Sequence, residues 1–90
     1  MSQAHVDPAE LRRFALSLKN FNGQLQAQMQ ALTGQLSGLS TSWRDREHDK
    51  FADEFQQTAQ VIARFLEASE QHVPFLLRKA DRAEEYLRQR

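Results

Sequence analysis

The chain of 90 residues contains no cysteine. A disulfide framework and thiolate chemistry are therefore excluded. Only 3 glycines and 2 prolines punctuate it. An all-β fold, which needs such residues at its turns, is disfavoured. Charge of either sign is not in excess, because 12 Lys and Arg balance 12 Asp and Glu. The basic surplus of a nucleic-acid binder is absent, and so is an acidic tail. No stretch approaches the roughly 18 apolar residues of a transmembrane helix, so membrane insertion is not expected. The start, Met1 to Pro8, has no basic segment leading into an apolar one. A Sec-type leader is not expected.

What is present is 40% hydrophobic and 27% charged, a composition suited to folding. A mass of 10.5 kDa allows one domain, taken as residues 1–90. A core of this size rarely supplies more than a few kcal/mol. A partner is therefore expected to complete the fold.

Two helical patterns surround one short break. Asp7, Pro8 and Glu10 form a helix start: an acceptor for free N–H groups, a proline suited to the first position, and a capping-box acid. The apolar series Leu11, Phe14, Leu18, Phe21, Leu25, Leu32, Leu39 follows with steps of 3, 4, 3, 4, 7 and 7. This is a heptad seam with Gln28 in one core slot, widened by Ala15 and Leu36. Gly23, Gly34 and Gly38 each weaken a helix by roughly 1 kcal/mol against Ala, but the period persists through them and Gly can allow close helix approach. Helix one is placed at about residues 8–39, roughly 48 Å long at 1.5 Å per residue.

Ser40-Thr41-Ser42 favours a turn over a helix interior, and the turn is placed at about 40–45. Helix two is placed at about 46–88, with Asp45, Glu47 and Asp49 at the positive end of its dipole. Its pattern runs Phe51, Phe55, Ala59, Ile62, Phe65, Leu66, Val73, Leu76, Leu77, Ala80, Ala83, Leu87. Thr58, Ser69 and His72 fall in other inward or boundary slots. Pro74 predicts a kink near Glu70 to Val73, with a full break into three helices as the alternative. Arg88, Gln89 and Arg90 are expected to fray.

The chain thus reads as all-α, a two-helix antiparallel hairpin. One hairpin is a thin layer that encloses no core, whereas two make a four-helix bundle. The candidate hairpin and dimer core is Leu11, Phe14, Leu18, Phe21, Leu25, Leu32 and Leu39 on helix one, with Phe51, Phe55, Ile62 and Phe65 on helix two. Charge distribution adds to this. The 24 residues between Lys19 and Arg44 carry no charge, and their polar positions are Asn, Gln, Ser and Thr. Interface cores are depleted in charge, which points to a partner-facing surface. A solvated Gln-rich face is the other reading.

Chemistry-bearing constellations are sparse. The histidines are His5, His48 and His72. A di-iron bundle needs Glu-x-x-His on each of two helices, and none is present; Ser69 precedes His72 at that distance. Glu47-His48-Asp49 reads as a solvated first turn, and His72 as a boundary residue with a hydrogen-bond partner. No nucleophile is placed beside a base, and no Gly-rich phosphate loop occurs. Arg78, Lys79 and Arg82 are balanced by Asp81, Glu84 and Glu85, a solvated face. No catalytic, cofactor-binding or metal residue is assigned, and no cofactor is expected.

The layout resembles the WXG-motif family, the small early-secreted-antigen-like proteins of type VII secretion. The features that carry the resemblance are mid-chain Trp43, the Ser-rich approach to it, and Phe51 eight residues later. The chain departs at Trp43-Arg44-Asp45, which has Asp where the family has Gly. Tyr86 is followed four residues later by Arg90, where the family's export signal has an acid. Pro74 is unusual for the second helix. The resemblance implies a dimer, with itself or a related WXG-type chain, packed as an antiparallel four-helix bundle. It implies export without a cleaved signal peptide, with the protein cytoplasmic before export, or service as an adaptor. A secretion ATPase or a larger effector would be further partners. By the same resemblance Trp43, Arg44 and Asp45 would form a recognition element at the end of the bundle. The alternative for Trp43 is a cap on the hairpin core. The alternative for the whole chain is a cytoplasmic helical adaptor or chaperone of another secretion or phage-like assembly.

Overall fold

The computed structural model describes residues 6–89; His5 and Arg90, named above, lie outside them. Two helices account for nearly all of it, α1 (Pro8–Leu39) and α2 (Arg46–Arg88), packed as an antiparallel hairpin. The hairpin measures 68 × 24 × 15 Å, so it is one helix deep.

Local chemistry fixes both starts. Asp7 is the N-cap of α1, and its carboxylate accepts from the Ala9 N–H at 2.9 Å, with Pro8 in the first turn. At the other end three hydroxyls in succession reach back three residues. Ser40 donates to the Ser37 carbonyl, Thr41 to Gly38 and Ser42 to Leu39. The backbone N–H groups of Ser40, Thr41 and Ser42 make the same i to i−3 step. These bonds satisfy the carbonyls that a helix end leaves free, and they stop the helix there.

The helices meet along a regular heptad seam. On α1 it is Leu11, Ala15, Leu18, Asn22, Leu25, Met29 and Leu36, all buried or half-buried. On α2 it is His48, Ala52, Phe55, Ala59, Ile62, Leu66, Ser69, Val73, Leu76, Ala80 and Ala83. Spacings of four and three alternate along α2 and along α1 as far as Met29, with a step of seven to Leu36, the pattern of antiparallel knobs-into-holes packing. Ala15 and Ala80 are completely buried, and no large side chain among the described residues is. Small residues let the helices approach but enclose nothing.

Within the single hairpin the seam divides the candidate core residues into inward and exposed ones. Phe14 and Phe21 lie one position off it and stay exposed, because Ala15 and Asn22 take the inward slots. Leu32, Leu39, Phe51 and Phe65 also stay exposed in the single hairpin. Gln28 is exposed, not in the hairpin core, and Thr58 and His72 lie on the exposed side of α2. α2 runs unbroken through Pro74, so there are two helices and not three. Arg88 is its last helical residue, and Gln89 caps it by donating to the Glu85 carbonyl.

Within the hairpin the two helices do not approach each other at the glycines. A methyl group at Gly23, Gly34 or Gly38 would meet nothing within 4 Å. Gly34 lies on the outer side of α1. Gly34→Ala is therefore expected to stabilise the protein by about 1 kcal/mol. The check is a rise in urea midpoint at constant slope. A lowered midpoint would mean that another chain occupies the open space.

Candidate functional site: the apolar face and the aromatic turn

Two faces flank the seam, and they differ in chemistry. Phe14 and Phe21 each precede a seam residue of α1, and Phe51 and Phe65 each precede one of α2. The rings of Phe21 and Phe65 meet edge-on with centroids 6.3 Å apart, so both flanks lie on the same face of the hairpin. Val61 and Phe75, one step further round α2, extend it and are also exposed. No charged residue interrupts α1 on this face beyond Lys19.

The opposite face is marked by Arg12 and Glu84, each of which follows a seam residue. The Arg12 guanidinium donates to Glu84 at 2.7 Å and to Asp81 at 2.9 Å. The hydrogen bond to Asp81, with that to Glu84 next in effect, raises the Arg12 pKa above its ordinary value. These exposed pairs tie the open end of the hairpin together but add little stability. Sequence spacing within one helix held no sign of them, because they join residues 69 and 72 positions apart. Between the helices on this face run shallow grooves lined by Gln26, Gln30, Thr33 and Ala63.

The turn gathers an aromatic cluster. Trp43 is half-buried, and its backbone N–H donates to the Leu39 carbonyl at 2.8 Å. Its ring stands edge-on to His48 at 5.0 Å and lies 6.2 Å from Phe51, which lies 6.2 Å from Phe55. The cluster thus runs from the turn into the seam. Asp45 is the N-cap of α2, and its carboxylate accepts from the His48 N–H at 2.9 Å. Its φ of −101° is extended backbone, with no left-handed conformation to require glycine. A carboxylate there caps the helix, an interaction that glycine lacks. Arg44 is exposed beside them.

His48 was expected in a solvated turn and is instead buried. Glu47 and Asp49 are exposed, while His48 is the first residue of the seam. The spacing 48, 52, 55, 59 was the signal for this. Its Nδ1 lies 3.7 Å from the Asp49 carboxylate, and its buried Nε2 has no partner. Asn22 was missed in the same way, since it holds a heptad slot and is polar. Among the described residues, no three His, Cys, Asp or Glu side chains stand together as a metal cage.

The sequence pattern of the WXG100 family, described as proteins of 100 residues with WXG, matches residues 3–86. The chain belongs to the WXG100 family. The same hairpin is found in crystal structures of a secreted protein, EsxB, from Bacillus anthracis strain Sterne. Selenomethionine-labelled EsxB is 30% identical with a TM-score of 0.78, covering 96% of this chain and 98% of that one. Wild-type EsxB in another crystal form is 31% identical with a TM-score of 0.78, covering 93% and 97%. A proline-to-alanine variant of EsxB is 30% identical with a TM-score of 0.81, covering 94% and 96%. No curated protein sequence matches this WXG100 chain.

Proposed function

We propose that this WXG100 protein is a non-enzymatic interaction module, exported by a type VII secretion system as a folded dimer with a second copy of itself. The observation that carries the reading is the exposed aromatic face of a hairpin with no fully buried large side chain among its described residues. Phe14, Phe21, Phe51 and Phe65 are exposed on one side, with Val61 and Phe75 beside them. A soluble single hairpin rarely leaves such a patch uncovered. A second hairpin laid on this face converts one layer into a four-helix bundle with an enclosed core. Leu32 and Leu39 would be covered in the same step. The likeness over nearly the full length to a secreted protein, EsxB, supports export. At the end of the hairpin, half-buried Trp43, exposed Arg44 and the capping Asp45 would be the element that a secretion ATPase or a larger effector recognises.

The test has two parts. Light scattering after size exclusion is expected to give twice 10.5 kDa and to hold on dilution. The chain is then expected in culture medium only when the secretion ATPase is intact. A dimer that stays inside the cell regardless would point to a cytoplasmic adaptor or chaperone. A folded monomer would remove the paired-hairpin reading.

A further inference from the structure

Helix α1 carries two overlapping apolar stripes. Both contain Leu11, Leu18 and Leu25. One adds Ala15 and Asn22, the other Phe14 and Phe21. They are related by turning α1 about its axis by about 50°, half the angular step between neighbouring residues. Apolar burial alone favours the phenylalanine stripe, because Phe removes far more apolar area from water than Ala or Asn. The hairpin nevertheless turns Ala15 and Asn22 inward.

One polar contact answers the question of why. Asn22 is 3% exposed and Ser69, across the seam, is 2% exposed. The Ser69 hydroxyl donates to Asn22 Oδ1 at 2.9 Å. The Asn22 Nδ2 has no partner, so this bond is the amide side chain's one internal hydrogen bond. A buried amide without a partner is costly, and Asn22 is tolerated inside because Ser69 receives it. A polar residue at a single seam position sets helix alignment at some expense of stability.

We propose that the Asn22–Ser69 pair is a rotational clamp that holds α1 with Phe14 and Phe21 facing outward for the second hairpin. The rotation itself stands on the hairpin geometry; its effect on pairing rests on the dimer reading above. Asn22 and Ser69 are positioning residues: they act through the phenylalanines, which make the interface.

Ser69→Ala leaves Asn22 buried without its bond, and α1 is expected to turn and bring Phe21 inward. The Phe21–Phe65 ring-to-ring nuclear Overhauser effect should then disappear. Self-association should weaken about tenfold or more, as expected for one unpaired buried amide. The double variant Asn22→Leu/Ser69→Ala places an apolar side chain in the same slot. It is expected to keep the ring contact and to restore the dimer to within about threefold of wild type, an allowance below the tenfold effect. A merely structural pair would lower the Ser69→Ala melting midpoint and leave both the ring contact and the dissociation constant unchanged. That result overturns the clamp, as does a double variant that pairs as weakly as the single. Should Ser69→Ala fail to fold, the double variant decides by keeping or losing the Phe21–Phe65 contact. A wild-type monomer would sink the dimer reading alone, since the ring contact still reports the rotation.

Discussion

Phe21→Ala is expected to weaken self-association about 30-fold or more, the loss of about 2 kcal/mol from a central aromatic anchor. Leu16→Ala is expected to leave it within about 0.5 kcal/mol of wild type. Exposure does not separate the two, since Leu16 is 59% and Phe21 51% exposed. Position does. Phe21 stands on the aromatic face, docked edge-on against Phe65. Leu16 follows a seam residue and lies toward the side of Arg12 and Lys19. The Phe21 ring is already held by Phe65, so less freedom is lost when a partner covers it. Phe65→Ala should act in the same direction. The double variant should fall short of the sum, because the two rings touch. Sedimentation velocity across a dilution series reads all four proteins. Dissociation by Leu16→Ala with Phe21→Ala unaffected would move the interface to the opposite face.

The comparison of Phe21 with Leu16 also marks how far the sequence was readable. Period, turn chemistry and capping chemistry together pointed to two helices, the turn between them and the cap at Asp7, with helix two starting near Asp45. These are local properties, decided by residues within four positions of one another. Leu11, Leu18 and Leu25 sit at the seam under either reading of α1. The rotation of α1 was not readable, because hydrophobicity ranks Phe14 and Phe21 above Ala15 and Asn22. The structure decides it by a hydrogen bond to Ser69, 47 residues away. His48 was hidden for a related reason. Flanked by Glu47 and Asp49 it looks solvated, yet the four-three spacing of α2 begins with it. The family motif was legible at Trp43 despite Asp45. The extended backbone at Asp45 explains why a capping acid can stand where the family has glycine.

Pro74→Ala is expected to stabilise the protein by about 2 kcal/mol. Proline inside a helix is about 3 kcal/mol less favourable than alanine, from the missing N–H and the ring's clash with the preceding turn. Part of that gain is offset, because alanine gives the unfolded chain more freedom, worth roughly 0.4–1 kcal/mol. Pro74 is exposed in the interior of α2, where its missing N–H would otherwise bond the Glu70 carbonyl. Its neighbour Val73 holds the seam, so the substitution removes no seam side chain. A gain of this size should raise the melting midpoint by about 10 °C. The helical signal in circular dichroism should stay the same or increase slightly. The dimer mass separates the two things Pro74 could do. A raised midpoint with the dimer intact makes the proline a tolerated local defect on the solvent side of α2. A raised midpoint with weakened pairing makes it a shaping residue, whose local bend fits the aromatic face to the second hairpin. A lowered midpoint would sink the prediction, because the altered course of α2 would then be part of the packed seam.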